Sequence, residues 1–344
     1  MKIIHIESGL GNQMLSYCEY LAIKKMNPQD DCYIETIIYD IPECNDVICQ
    51  WNGYELDKVF NLHAPNIHSV IDSKNWNQLI SEIKNSHFWE KNWNYPVYFT
   101  QAFNNIGIKV ENKRGDFELP GVKNKTNKVK AYKLNKVYAW LKYLNEKRKA
   151  IPTSYPDLKP RLFIQTDEDI FTGQKLLFKY KNSGIELIES EIREAFVFPP
   201  IKDKLNSQVL KQIQETQSVA VHVRRGDMLS VNYHIYVNGY FQRATKHLKS
   251  QVQNPVFFVF CDKDTSSWAK QHTKKIGLNS FKDKIVFVNW NQQKDSWRDM
   301  QLMAACKHNI ITNSSFGWWG SWLNPNPNKI TCSPIPSMNT TISF

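Results

Sequence analysis

The chain opens on alternating apolar and polar positions. Residues 2–7 (KIIHIE) are rich in isoleucine and predict a short strand. Residues 8–11 read as a glycine turn. Residues 12–26 then place Met14, Leu15, Cys18, Leu21 and Ala22 at helical spacing. A second regular stretch begins near residue 218, where SVAVHV, PVFFVFC, KIVFVNW and NIIT read as strands. The segments 239–251, 266–276 and 295–308 between them read as helices, the last with Trp297, Met300 and Ala304 on one face. Strands alternating with helices of this length predict a parallel sheet covered on both faces, a Rossmann-like carboxyl-terminal domain.

Between about residues 45 and 205 Trp, Asn and Lys dominate and periodicity is weak, so the pattern supports mixed α/β structure and nothing finer. The run FVFPPIKDK, with Pro199 and Pro200, interrupts regular structure just before the clean alternation, because proline lacks an amide donor and restricts its predecessor. We therefore expect an amino-terminal α/β domain over 1–200 and the Rossmann-like domain over 201–344. A length of 344 residues agrees with two domains, since single cores rarely grow beyond about 250–300 residues.

Composition adds modest constraints. Eleven Trp, 15 Tyr and 18 Phe suit a sugar-handling surface, but large cores use the same residues, and the core is the simpler reading. The seven cysteines are odd in number, scattered and without a CxxC pair, and are expected to be free thiols. The first apolar run is too short for a signal peptide or anchor, so a cytoplasmic protein is expected. Of the net charge of +11, residues 121–149 hold ten Lys or Arg against Glu146 alone. That stretch reads as a solvated helix face with Tyr132, Tyr138, Trp140, Leu141 and Leu144 inward; its alternative use is peripheral contact with an anionic membrane, and nucleic acid is not expected.

Three segments carry chemistry. In VAVHVRRGDM a buried strand ends at His222, Arg224, Arg225 and Asp227, the place where open α/β sheets bind ligands. Arginine offers a permanently charged planar fork that grips a diphosphate bidentately; the plain alternative is a surface ion pair with Asp227. In KHNIITNSSFGWWGSWLN a strand runs into Asn313, Ser314 and Ser315, capping residues ahead of an aromatic helix whose amino end can face an anion, with Trp318, Trp319 and Trp322 in the core. In GLGNQM the glycines permit close backbone approach, and Gly11, Asn12 and Gln13 open a helix. Met14 replaces the third glycine of a dinucleotide fingerprint, which argues against an NAD enzyme. The pair Asp262 and Asp264 has metal-binding spacing, but it opens a helix, and Asp264 or Thr265 is the expected cap.

These segments, in this order, resemble glycosyltransferase family 11, the α-1,2-fucosyltransferases. The resemblance implies a GT-B type α/β fold, two Rossmann-like lobes facing a central cleft, with the acceptor in the first and GDP-fucose in the second. It implies inverting transfer of fucose to a galactose-terminated oligosaccharide, with no metal and no cofactor. Arg224 and Arg225 fall on the family's arginine pair, His222 and Asp227 flank it, and Asn313, Ser314 and Ser315 fall on its nucleotide-sugar loop. Gly11, Asn12 and Gln13 match its amino-terminal motif. Asp227, Glu7 and His222 are the candidates for accepting the acceptor's proton. The rival readings are another nucleotide-sugar glycosyltransferase and a non-catalytic carbohydrate-binding protein.

Overall fold

The computed structural model describes residues 1–44, 52–90, 95–112, 157–163, 165–171, 174–226 and 229–344. The basic stretch 121–149, Cys49 and Asp227 lie outside them. The described residues form two compact units, one drawn from Met1–Asn124 and Pro156–Pro199, the other from Pro200–Phe344.

In the first unit, β1 (Lys2–His5) pairs in parallel with β2 (Cys32–Glu35) on one side and β3 (Ile170–Phe171) on the other. Ile3 joins a core with Ile38, Phe99 and Phe103, whereas Ile4 joins one with Tyr20, Ile23 and Phe171. Successive residues of β1 are thus buried on opposite faces, as a strand covered on both sides requires. Helix α1 (Leu10–Met26) follows β1 and starts earlier than the pattern predicted. The two longest described helices of the unpatterned region come next. In α2 (Ser73–Asn85), Asp72 accepts from the amides of Lys74 and Asn75, and Trp76, Leu79 and Ile83 form the buried face; α3 (Tyr95–Asn105) follows.

In the second unit, α4 (Lys204–Glu215) precedes β4 (Gln217–Val223), and α5 (Leu229–Val237) and α6 (Tyr240–Gln251) lead to β5 (Pro255–Cys261). Next come α7 (Lys263–Gln271), β6 (Lys284–Val288), α8 (Trp297–Ala305), β7 (His308–Ile310), α9 (Ser315–Trp322), β8 (Thr331–Ser333) and β9 (Ile342–Ser343). All six strands are parallel, in the order β6-β5-β4-β7-β8-β9. Counted within the unit this is 3-2-1-4-5-6, the Rossmann order, so the expected α/β architecture is present here. Strand direction of growth reverses between β4 and β7. Crevices outside the carboxyl ends of such a pair are where doubly wound sheets bind ligands.

Gly277 shows how tightly this unit is built. It adopts φ 75°, and a β-carbon there would overlap the Thr245 hydroxyl and the Phe241 carbonyl, so only glycine fits. Cys18, Cys32, Cys44, Cys261, Cys306 and Cys332 are free and buried, as expected. Among the described residues no helix is long and apolar enough to cross a membrane.

Candidate functional site

The site grows out of the β4–β7 pair. Val219 registers with His308 and Val221 with Ile310, so the chain leaves both strands on the same side of the sheet. Beyond β4 lie Arg224, Arg225 and Gly226; beyond β7 lie Thr312, Asn313 and Ser314. Tyr240 braces the second exit by donating its hydroxyl to the carbonyls of Ile311 (2.6 Å) and Cys332 (2.9 Å).

His222 is buried in β4, with Nδ1 3.3 Å from the Thr312 hydroxyl and its ring tilted against Phe316. Burial first, and the Arg224 charge second, push its pKa down to about 3, so the imidazole is neutral at ordinary pH. This side chain joins the two strand exits. Gly317, in the first turn of α9, approaches it so closely that a β-carbon would overlap Nδ1 and come within 3.0 Å of Cε1 and Cγ. Neither a ring on a central strand nor a helix backbone can move aside. We expect Gly317→Ala to cost about 1–3 kcal/mol, read as a melting temperature several degrees lower; an unchanged melt would show that this contact is loose.

The two arginines are held in different ways. The Arg224 carbonyl accepts from the Tyr236 hydroxyl (2.9 Å) and from Asn232 Nδ2 (3.3 Å). The Arg225 guanidinium lies over the Trp268 ring, 3.7 Å from its centre, and 5.2 Å from that of Tyr236. Among the described residues Arg225 makes no ion pair and no hydrogen bond. No described residue therefore occupies its donors, whereas a structural arginine spends its donors on neighbouring carboxylates and carbonyls.

Asn313, Ser314 and Ser315 lie where expected, at the start of α9, but the capping expectation needs correction. Ser314 occupies the cap position with extended backbone, yet its hydroxyl makes no capping bond to the first turn. Trp318 and Trp319 are buried in the core, whereas Trp322 is only half-buried. The cap of α7 is Asp262, not Asp264 or Thr265: its Oδ1 accepts from the Thr265 amide at 2.9 Å. Among the described residues its Oδ2 is buried without a hydrogen-bond partner, and it faces Gly226.

The amino-terminal motif is a different local structure from the glycine turn expected. Ser8 is the left-handed residue (φ 64°), Gly9 caps α1 with φ −77°, and Gly11 is already helical and buried. Gln13 is fully buried: its amide donates to the carbonyls of Ser8 (2.8 Å) and Gly53 (2.9 Å), and its oxygen accepts from the Glu55 amide (2.8 Å). Glu55 in turn accepts from the Leu10 amide (3.2 Å), so a carboxylate of the protein itself meets the amino end of α1. Gln13 is committed to shaping this loop. Asn12, by contrast, is half-buried.

Sequence reasoning missed a charged cluster at the end of β1. Lys175 donates to Glu7 at 2.7 Å, Glu7 lies 3.8 Å from His5 Nε2, and His5 Nδ1 meets Glu35, its direct neighbour in the β1–β2 register. Burial alone would lower the His5 pKa, but Glu35 and Glu7 outweigh it and carry it up to about 9. Burial likewise works against the Glu7 charge, yet Lys175 and His5 hold that carboxyl well below the usual range. His5 and Glu7, two apart on an otherwise apolar strand, were the available signal.

A doubly wound parallel unit with an uncommitted arginine at its switch point has the architecture of nucleotide-binding α/β proteins. Over residues 188–335 the chain matches the sequence model of glycosyl transferase family 11. It is 37% identical over 154 residues to an alpha-1,2-colitosyltransferase of Escherichia coli, covering 43% of this chain and 50% of the relative. It is 31% identical over 128 residues to the O-antigen biosynthesis glycosyltransferase WbnK of Escherichia coli (35% and 39% covered). It is 29% identical over 110 residues to galactoside alpha-(1,2)-fucosyltransferase 1 of Saimiri sciureus (30% and 28% covered). The chain thus spans half or less of the length of these relatives. A solved structure of an Arabidopsis thaliana FUT1 mutant in complex with GDP aligns with 99% of this chain and 72% of its own, at 12% identity and a TM-score of 0.38.

Proposed function

We propose that this protein is an inverting glycosyltransferase of the GT-B type that moves L-fucose from GDP-β-L-fucose to the 2-hydroxyl of a galactose-terminated oligosaccharide in the cytoplasm. The observation that carries the reading is Arg225: a cation held by stacking, its donors taken by no described residue, at the switch point of a unit that matches the family 11 model. In this reading the second unit binds the donor and the first the acceptor.

Transfer breaks the bond between fucose C1 and the β-phosphate oxygen and forms one from C1 to the acceptor oxygen on the opposite face. Positive character grows on the sugar and negative charge on the leaving GDP, so fixed positive charge at the phosphate lowers the barrier. Arg224 and Arg225 supply it, and no metal is required. The hydroxyl proton leaves late, when the bond to C1 has largely formed, so a weak acceptor suffices. His222, buried and neutral, fits the task of joining the β4 and β7 exits better than that of a base.

The colitosyltransferase relative favours a second reading, in which the donor is another GDP-linked deoxyhexose. The test is incubation with GDP-fucose and, separately, with GDP-colitose, each against a panel of galactosides in the presence of EDTA, measuring GDP release and the linkage formed. Release that survives EDTA with an α-1,2 product is expected. Release from GDP-colitose alone would select the second reading, and GDP binding without release from any donor would leave a carbohydrate-binding protein.

A further inference from the structure

We propose that Trp268 and Tyr236 are positioning residues that set the plane of the Arg225 guanidinium before any ligand arrives. The inference rests on the reading of Arg225 as a ligand of the donor diphosphate.

The two aromatic residues come from separate helices and meet at the end of β4. Trp268 lies on α7, which is fixed to β5, the neighbour of β4, by its Asp262 cap. Tyr236 lies on α5, and its ring stands at 85° to that of Trp268 with centres 5.5 Å apart. The guanidinium rests on the Trp268 ring, while the Tyr236 hydroxyl holds the carbonyl of the preceding Arg224. Backbone and side chain of the arginine pair are therefore restrained by one cluster. One turn beyond, His272 lies parallel to Trp268 (5.0 Å, 14°) with Nδ1 2.9 Å from the Trp268 carbonyl, which further limits rotation of the indole.

Stacking suits this task better than an ion pair. A carboxylate partner would occupy the in-plane N–H groups and weaken attraction for a second anion, whereas an aromatic face occupies only the π-face. The edge of the fork stays open to two phosphate oxygens. A freely rotating arginine loses side-chain entropy when a ligand fixes it, and the stack removes much of that freedom in the unliganded protein. Tryptophan is the aromatic residue that attracts a guanidinium most strongly.

The test is a double-mutant cycle on the full chain, reading GDP affinity by calorimetry and folding by thermal melts. Trp268→Leu keeps apolar bulk without the π-face, and is expected to weaken GDP binding about fivefold to thirtyfold at a nearly unchanged melting temperature. Trp268→Phe should recover most of the loss. With Arg225→Ala in place, Trp268→Leu should add little. Equal losses from Trp268→Leu with and without Arg225, or losses that track the melting temperature, overturn the positioning role and leave the diphosphate reading standing. If Arg225→Ala itself leaves GDP affinity unchanged, the diphosphate reading falls, and the positioning role falls with it.

Discussion

Arg225→Lys is expected to fold normally and to lose turnover about 10²- to 10³-fold, the loss seen when one preorganised donor to a developing anion is removed. The substitution keeps a positive charge, so a role in bulk electrostatic attraction would survive it. It removes the planar fork and the flat surface that lies 3.7 Å from the centre of the Trp268 ring. A lysine ammonium is a hydrated point charge that cannot bridge two phosphate oxygens in one plane. GDP affinity should fall about tenfold or more, consistent with loss of a charge-assisted hydrogen bond. Near-normal kcat and GDP affinity, measured by GDP release and calorimetry beside a wild-type melt, would refute the assignment. The effect is expected at Arg225 because its guanidinium is the one held in a fixed plane against Trp268.

How much of this site the sequence displayed follows from how local each signal is. The strands over 217–223 and 255–261 read clearly because their apolar runs are bounded and regular. Helix α5, LSVNYHIYV, did not: it is apolar on every side and rich in β-branched and aromatic residues, so it has no helical period, and packing of Ile235 and Tyr236 decides its conformation. Strands β8 and β9 are too short to carry a period at all. Arg224 and Arg225 stood out as residue types at a strand end. Trp268 gave no signal, because its contact with Arg225 is made by two neighbouring strands feeding separate elements. Gln13 misled for the opposite reason: a polar residue opening a helix resembles a ligand donor, and only the folded chain brings the Ser8 and Gly53 carbonyls to it.

Glu7→Gln should destabilise the first unit by about 3–5 kcal/mol, a drop in melting temperature on the order of 10 °C. Two buried cations, Lys175 and protonated His5, face two carboxylates, Glu7 and Glu35. The Lys175 side chain is 4% exposed and loses its 2.7 Å partner in the variant, while glutamine keeps the shape, so the loss is of charge and not of packing. The pH dependence distinguishes this cause from others. The folded His5 pKa of about 9 lies above its ordinary 6.5, so its contribution is complete below about pH 6.5 and is lost as pH rises through 9. The depressed Glu7 pKa gives the opposite sign: its contribution is complete above its ordinary 4.5 and is lost as pH falls into the acid range. Wild-type stabilisation from the cluster should therefore peak between about pH 4.5 and 6.5. In the variant, proton loss from His5 relieves part of the uncompensated charge, so the deficit against wild type should narrow on the alkaline side. Melts from pH 4 to 10 test this, and a deficit that is small or constant across that range would show that the cluster is not a coupled set of buried charges.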